Sequence, residues 1–274
     1  MNWAYFRSGF LTYLSANGYS TRYVDDLTKY LDKYLDNFVI NNPTDILSIF
    51  SKVKRGRRHV WLGLRVLFNY LEALGYNEHD LNVLRKALPK VNCCGVDLKV
   101  PTEQAISESL SRLNKAPLKY QALYNLLLDS GLRLIEAVKV IKEFNSEKVE
   151  RVGGFYRYEI CETRGTKSAF YGYMSEATFK MLTEATFQRS DLEYLQAAHY
   201  YAKMRFIRAK YLRKFCFDLM ISLEIPESVA DFIEGRVPRR IGAKHYCALR
   251  RQADNFYGKY NGYLAKLREA ESVA

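Results

Sequence analysis

Apolar residues recur at intervals of three and four along most of the chain, the spacing that gathers side chains onto one face of an α-helix. Trp3, Phe6, Phe10, Tyr13 and Leu14 form one such stripe ahead of Asn17-Gly18; Tyr23, Leu27, Tyr30, Leu31, Tyr34 and Leu35 form another after Ser20-Thr21. Pro43-Thr44-Asp45 opens a short third helix, and Val60 to Leu74 gives a fourth that Gly75 stops. These aromatic stripes are core-packing surfaces. A helical segment from Asp80 to Leu88 then runs into Pro89-Lys90-Val91-Asn92-Cys93-Cys94-Gly95, and Pro101 starts the pattern afresh. Residues 1–90 are therefore expected to form one domain, 91–100 a linker and 101–274 a second domain.

In the second domain, helices open at Thr102 and Leu118, the latter ending at Asp129-Ser130-Gly131. The period shortens to two over Phe155 to Ile160 and again over Ser168 to Tyr173, with Arg164-Gly165 able to turn between them, which predicts a hairpin. Ser175 caps a helix expected to reach Phe187, and 188–204 is helical without an assignable role. Leu212, Phe215, Leu219 and Ile225 mark the apolar face of another helix; Leu249, Phe256, Tyr260, Tyr263, Leu264 and Leu267 mark the last one. The fold class is mainly α with a small β-hairpin sheet.

Composition adds a partner class. A net charge of +12 and a pI near 9.3 call for a polyanion, although DNA, RNA and an acidic membrane share that property. No apolar run reaches bilayer length and the N-terminus lacks the order of a signal peptide, so a cytoplasmic location is expected. The five cysteines are scattered with no C-x-x-C pair and the four histidines add no ligand spacing, which argues against a disulfide framework and a zinc site. The charge is concentrated. Lys203 to Arg251 holds twelve Lys or Arg against five Asp or Glu, and Lys52, Lys54, Arg55, Arg57 and Arg58 put five cations into seven residues. A run of that kind is either a solvated loop or a phosphate contact favoured by counterion release.

Several of these cations sit where chemistry could use them. Lys210 and Arg213 fall three apart on a helix, so both heads project from one side. Glu234-Gly235-Arg236 breaks the next helix and Val237-Pro238 begins another, which sets Arg236 on a turn. Arg133 follows a Gly turn at a helix start among apolar neighbours, an unusual place for a guanidinium; it either pairs with Glu136, three residues on, or grips an anion. Tyr246 lies beyond them. A phenol oxygen attacking a phosphate needs cations on the non-bridging oxygens, and the planar fork of Arg suits that task.

This set resembles the tyrosine recombinase (phage integrase) family. Its first box is matched by Ser130-Gly131-Leu132-Arg133 with Glu136, its second by Lys210-x-x-Arg213, Gly235-Arg236 and Tyr246. Lys210 stands where most of the family has His, and Arg236 where most has His or Trp. Both departures, and the run from Gly235 to Tyr246 that also carries Arg239, Arg240 and Lys244, look like the integrases of archaeal viruses and plasmids.

The resemblance implies an N-terminal helical core-binding (SAM-like) domain that clamps duplex DNA and a C-terminal catalytic domain whose hairpin carries a lysine. Lys167 is the choice for it, with Arg164 as competitor. It further implies Tyr246 as nucleophile, giving a 3′-phosphotyrosyl enzyme and a free 5′-hydroxyl, with Arg133, Arg213 and Arg236 on the phosphate, Lys167 as general acid and Lys210 at the position associated with the Tyr proton. Tyr257, Tyr260 and Tyr263 are rival nucleophiles. One ester replaces another of similar energy, so no cofactor, nucleotide or metal is called for. The implied partners are double-stranded DNA attachment sites and further copies of the chain, a tetramer in the synaptic complex. The last helix would pack either on a neighbouring protomer or on its own chain. A type IB topoisomerase-like relaxation and a catalytically silent DNA-binding protein of the same fold are the alternative functions.

Overall fold

The computed structural model describes residues 1–36, 38–91, 95, 97–164, 167–237 and 248–272, with the backbone alone for 163, 164 and 270–272. They separate into two compact units, Met1–Asp97 and Leu98–Ala274.

The first unit is helical: α1 (Trp3–Ala16), α2 (Thr21–Leu35), α3 (Pro43–Lys52), α4 (Arg57–Ala73) and α5 (Glu78–Ala87). Its core is made by the stripes read from the sequence, with Phe10, Leu14, Leu31, Ile46, Leu64, Leu67 and Phe68 fully buried. The start of α3 is a capping box: Asn42 Oδ1 accepts from Thr44 N, and the Asp45 carboxylate accepts from Asn42 N. The fourth helix begins three residues earlier than expected. Gly56 adopts a left-handed conformation (φ 78°) and its carbonyl accepts from His59 N and Val60 N, so Arg57 and Arg58 form the first turn of α4 and Lys52 ends α3. Arg is a good helix former, and the charge run disguised a helix start as a loop.

In the second unit α6 (Glu103–Leu113), α7 (Leu118–Ser130) and α8 (Leu134–Lys142) precede a three-stranded antiparallel sheet of β1 (Val149–Val152), β2 (Phe155–Arg164) and β3 (Lys167–Ser175) in that order. The hairpin is as expected, with Arg164 opposite Lys167 at the end where the chain crosses from β2 to β3; β1, paired Val152 to Phe155, was too short to leave a period-two signal. The β2–β3 register shifts between Glu159 and Glu162, where Cys161 takes a positive φ of 46°. Next come α9 (Glu176–Thr183), α10 (Tyr194–Lys203), α11 (Ala209–Ser222), α12 (Glu227–Ile233) and α13 (Leu249–Ser272). Ser175 caps α9 as expected, but that helix stops at Thr183, short of Phe187. Ile225 lies past the end of α11, buried after Glu224 turns the chain at φ 59°.

Helix α7 is the axis of this unit. It is buried almost continuously from Tyr120 to Ser130 and packs against α8, α9, α11 and β3. Its last turn also receives α13. Tyr257 and Tyr260 donate their hydroxyls to the carbonyls of Asp129 and Leu128 at 3.0 and 2.7 Å, and Arg268 meets the Asp129 carboxylate at 2.6 Å. The other Asp129 oxygen accepts from Ser175 N and Oγ. Of the two placements left open for the last helix, the structure has the docking on its own chain. Arg268→Met is expected to lower the unfolding free energy by about 2–4 kcal/mol, because a fully buried Asp129 loses its counter-charge; urea unfolding should show a lower midpoint at unchanged m.

Candidate active site

The site is built where the ends of α7 and α12 meet the starts of α8 and α11. Helix α7 ends on Gly131 in the left-handed region (φ 61°), and a Cβ there would come within 2.8 Å of the Glu234 side chain. The chain then leads straight into Arg133, the N-cap of α8. Glu136 accepts from Arg133 N at 3.0 Å and from Arg133 Nη1 at 2.6 Å, and the same Nη1 donates to Gly235 O at 2.9 Å. The ion pair and the anion-gripping placement, offered as alternatives by the sequence, coexist. Glu136 orients the guanidinium from behind while the side chain lines a cleft.

Arg213, on α11, binds the two turns together. Its Nη1 donates to Gly131 O at 2.8 Å and to Glu234 O at 2.6 Å. Its Nη2 is buried with no hydrogen-bond acceptor among the described residues. Burial lowers the Arg213 pKa to about 10, with Arg236 and Arg133 acting in the same direction and Glu234 against it. The group remains charged at neutral pH.

Arg236 follows Gly235, a second left-handed glycine (φ 73°), where a Cβ would crowd Ala169 of β3 to 3.0 Å. Its guanidinium lies 5.0 Å from the Phe217 ring centroid and meets Asp231 Oδ1 at 3.2 Å and Glu234 Oε2 at 2.8 Å. Lys167, the exposed first residue of β3, and Lys210, in the first turn of α11, complete the group. All five expected cations line one cleft of about 680 Å3. Two more, Arg208 and Lys214, join them, and no carboxylate stands among the described lining residues. Charge of one sign in a concave site concentrates a field suited to an anion.

The sequence did not assign the opposite wall. Tyr194, Ala198 and Tyr201 of α10 form it, and Tyr201 is held by donating to Tyr120 O at 2.9 Å. Its only signal was local: an apolar stripe at 194, 197, 198 and 201 just before the basic segment. Tyr246, Arg239, Arg240 and Lys244 lie outside the described residues, as does the side chain of Arg164.

The rival tyrosines are otherwise engaged. Burial pushes the Tyr257 and Tyr260 phenols well above their ordinary range, and both hydroxyls are held by main-chain carbonyls. The Tyr263 hydroxyl donates to Glu103 at 2.6 Å, which raises its pKa.

In the first unit, Lys52, Lys54, Arg55, Arg57 and Arg58 are all exposed. Arg57 is nonetheless anchored, donating to Phe50 O at 3.1 Å with its guanidinium 5.1 Å from the Phe50 ring centroid.

A helical unit with a small antiparallel sheet and a cleft cationic at every charged lining position has the architecture of the tyrosine recombinases. Lambda integrase, as residues 75–356 in a dimer bound to a COC′ core site, superposes with a TM-score of 0.61 at 12% identity, covering 87% of this chain and 96% of that one. Residues 98–263 match the archaeal phage integrase domain, and the chain belongs to that family. An integrase from mycobacterium phage Brujita (10% identity, 92% and 91% of the two chains, TM-score 0.42) and the XerA recombinase (11%, 97% and 98%, 0.36) match too loosely to bear on the fold. No curated protein sequence matches.

Gly131→Ala tests the meeting of the two turns. Its Cβ would enter the Glu234 side chain at a positive φ, so a loss of about 1–3 kcal/mol is expected, read as a lower melting temperature.

Proposed function

We propose that this chain is a site-specific DNA recombinase that cleaves and rejoins duplex DNA through a 3′-phosphotyrosyl intermediate on Tyr246. The observation that carries the reading is the cleft itself. Arg133, Lys167, Lys210, Arg213 and Arg236 come from four separate segments to line it, and the buried Arg213 Nη2 lacks an acceptor among the described residues, as expected of a site shaped for a phosphate.

In this mechanism Tyr246 gives up its phenol proton to solvent as its oxygen attacks phosphorus in line, the bond from phosphorus to the 5′-oxygen breaks, and Lys167 gives that oxygen its proton. Negative charge grows on the non-bridging oxygens, where Arg133 and Arg213 stabilise it most and Arg236 assists. The ammonium of Lys210 adds to a field that favours the phenolate, since an unperturbed Tyr has a pKa of about 10. The 5′-hydroxyl of a partner strand then attacks the phosphotyrosine, releasing the Tyr246 oxygen and resealing the backbone. The exchange needs four active copies in a synaptic tetramer on paired attachment sites. The first unit clamps the duplex through its basic cluster, with Arg239, Arg240 and Lys244 adding contacts near the cleavage point.

A nicked suicide duplex that traps the covalent adduct tests the chemistry. Tyr246→Phe should abolish the adduct while leaving DNA binding intact, and an adduct that persists in this variant assigns the nucleophile elsewhere. Strand exchange between two marked sites separates recombination from simple relaxation of supercoils. For the first unit, replacing Lys54, Arg55 and Arg58 by Gln should reduce the slope of log K against log salt by about 2–3, since each lost phosphate contact removes about 0.9.

A further inference from the structure

Glu234 is the most deeply placed charge beside the cleft and has no part in the mechanism above. It is fully buried, yet neither carboxylate oxygen receives a well-aligned hydrogen bond among the described residues. Its Oε2 lies 2.8 Å from Arg236 Nη2 and 3.6 Å from Arg213 Nε, while its main-chain oxygen accepts a hydrogen bond from Arg213 Nη1. Capping α12 does not require this residue, because the left-handed Gly235 ends the helix. A leucine or methionine would fill the same space without the cost of burying a charge. Gly131, in turn, leaves room for the side chain by having no Cβ. A site that retains a poorly solvated carboxylate under its cations, at the expense of stability, retains it for what it does to those cations.

We propose that Glu234 is a positioning residue for strand cleavage: its ionised carboxylate, between Arg213 and Arg236, holds both guanidinium groups in the attitude in which they receive the phosphate. The inference rests on the cleavage reading above. Crowded guanidinium groups repel one another, and a carboxylate between them offsets that repulsion. With Arg213 Nη1 on two carbonyls and Nε facing the Glu234 carboxylate at 3.6 Å, Nη2 is the nitrogen left for the substrate.

The charged and titratable groups around the carboxyl, from each element packed on it, are Arg213 and the Cys216 thiol of α11, Asp231 of α12, Arg236 on the turn and Arg133 at the start of α8. Burial, with Asp231 adding, raises the Glu234 carboxyl to about 7 against the opposing pull of Arg213, Arg236 and Arg133. The folded pKa is raised, so the carboxylate is present above about 7 and lost as pH falls through it.

The test is the single-turnover rate of adduct formation by the full chain on the nicked duplex, across about pH 5.5 to 8.5. The wild-type rate should fall about tenfold per unit below its acid limb. Glu234→Gln keeps the shape and removes the charge; it should cleave on the order of 10- to 100-fold more slowly above the limb, bind DNA within about threefold of wild type and show no limb. Glu234→Asp restores the charge and should restore the limb. A folded Gln variant that cleaves at the wild-type rate, or that keeps the wild-type limb, overturns the proposal. So does a wild-type profile without an acid limb, which decides the matter even where the Gln variant does not fold. A wild-type chain that forms no adduct at any pH overturns the cleavage reading itself, and this inference with it.

Discussion

One guanidinium nitrogen holds the second unit's cleft together. Arg213 Nη1 joins the carbonyl that ends α7 to the carbonyl that ends α12, two helix termini 103 positions apart as Gly131 and Glu234. Terminal carbonyls of helices carry partial negative charge and no intrahelical donor, so a buried cation between two of them satisfies both and is itself partly neutralised. The glycines at 131 and 235 let the chain turn away at once and permit the close approach. Arg133 and Arg236 follow them by two residues and one, and so inherit their positions from the same bond.

What was legible in the sequence followed the range of the interactions. The first box could be read because Gly131, Arg133 and Glu136 act on one another within six residues, and Lys210 and Arg213 because a helix fixes their relation in less than one turn. The fold class was legible for the same reason, since periodicity is local. The wall from α10 was not, because Tyr194 and Tyr201 become part of the cleft only through packing on α7 and its neighbours, a relation no spacing encodes. Glu234 was read only as part of a helix-breaking turn; its burial depends on what lies opposite, above all the missing Cβ of Gly131. The start of α4 was hidden because the residues that open it are also the charges that made the segment look like a loop.

Electrostatics and stability pull against each other around this cleft. Seven cations share its lining, and the carboxylates paired with Arg133 and Arg236, Glu136, Asp231 and Glu234, are not among the described lining residues. A cluster of that kind opposes compaction, and the protein tolerates it because a large apolar core surrounds α7.

The docking of α13 on Asp129 has a consequence for how the molecule can be altered. Asp129 stands two residues before Gly131, so the anchor of the C-terminal helix and the turn that feeds Arg133 are one stretch of backbone. The tail is thus a tension member on the cleft: shortening it, fusing a tag to it or exchanging it between copies would act on the geometry of the cations as directly as a substitution inside the pocket.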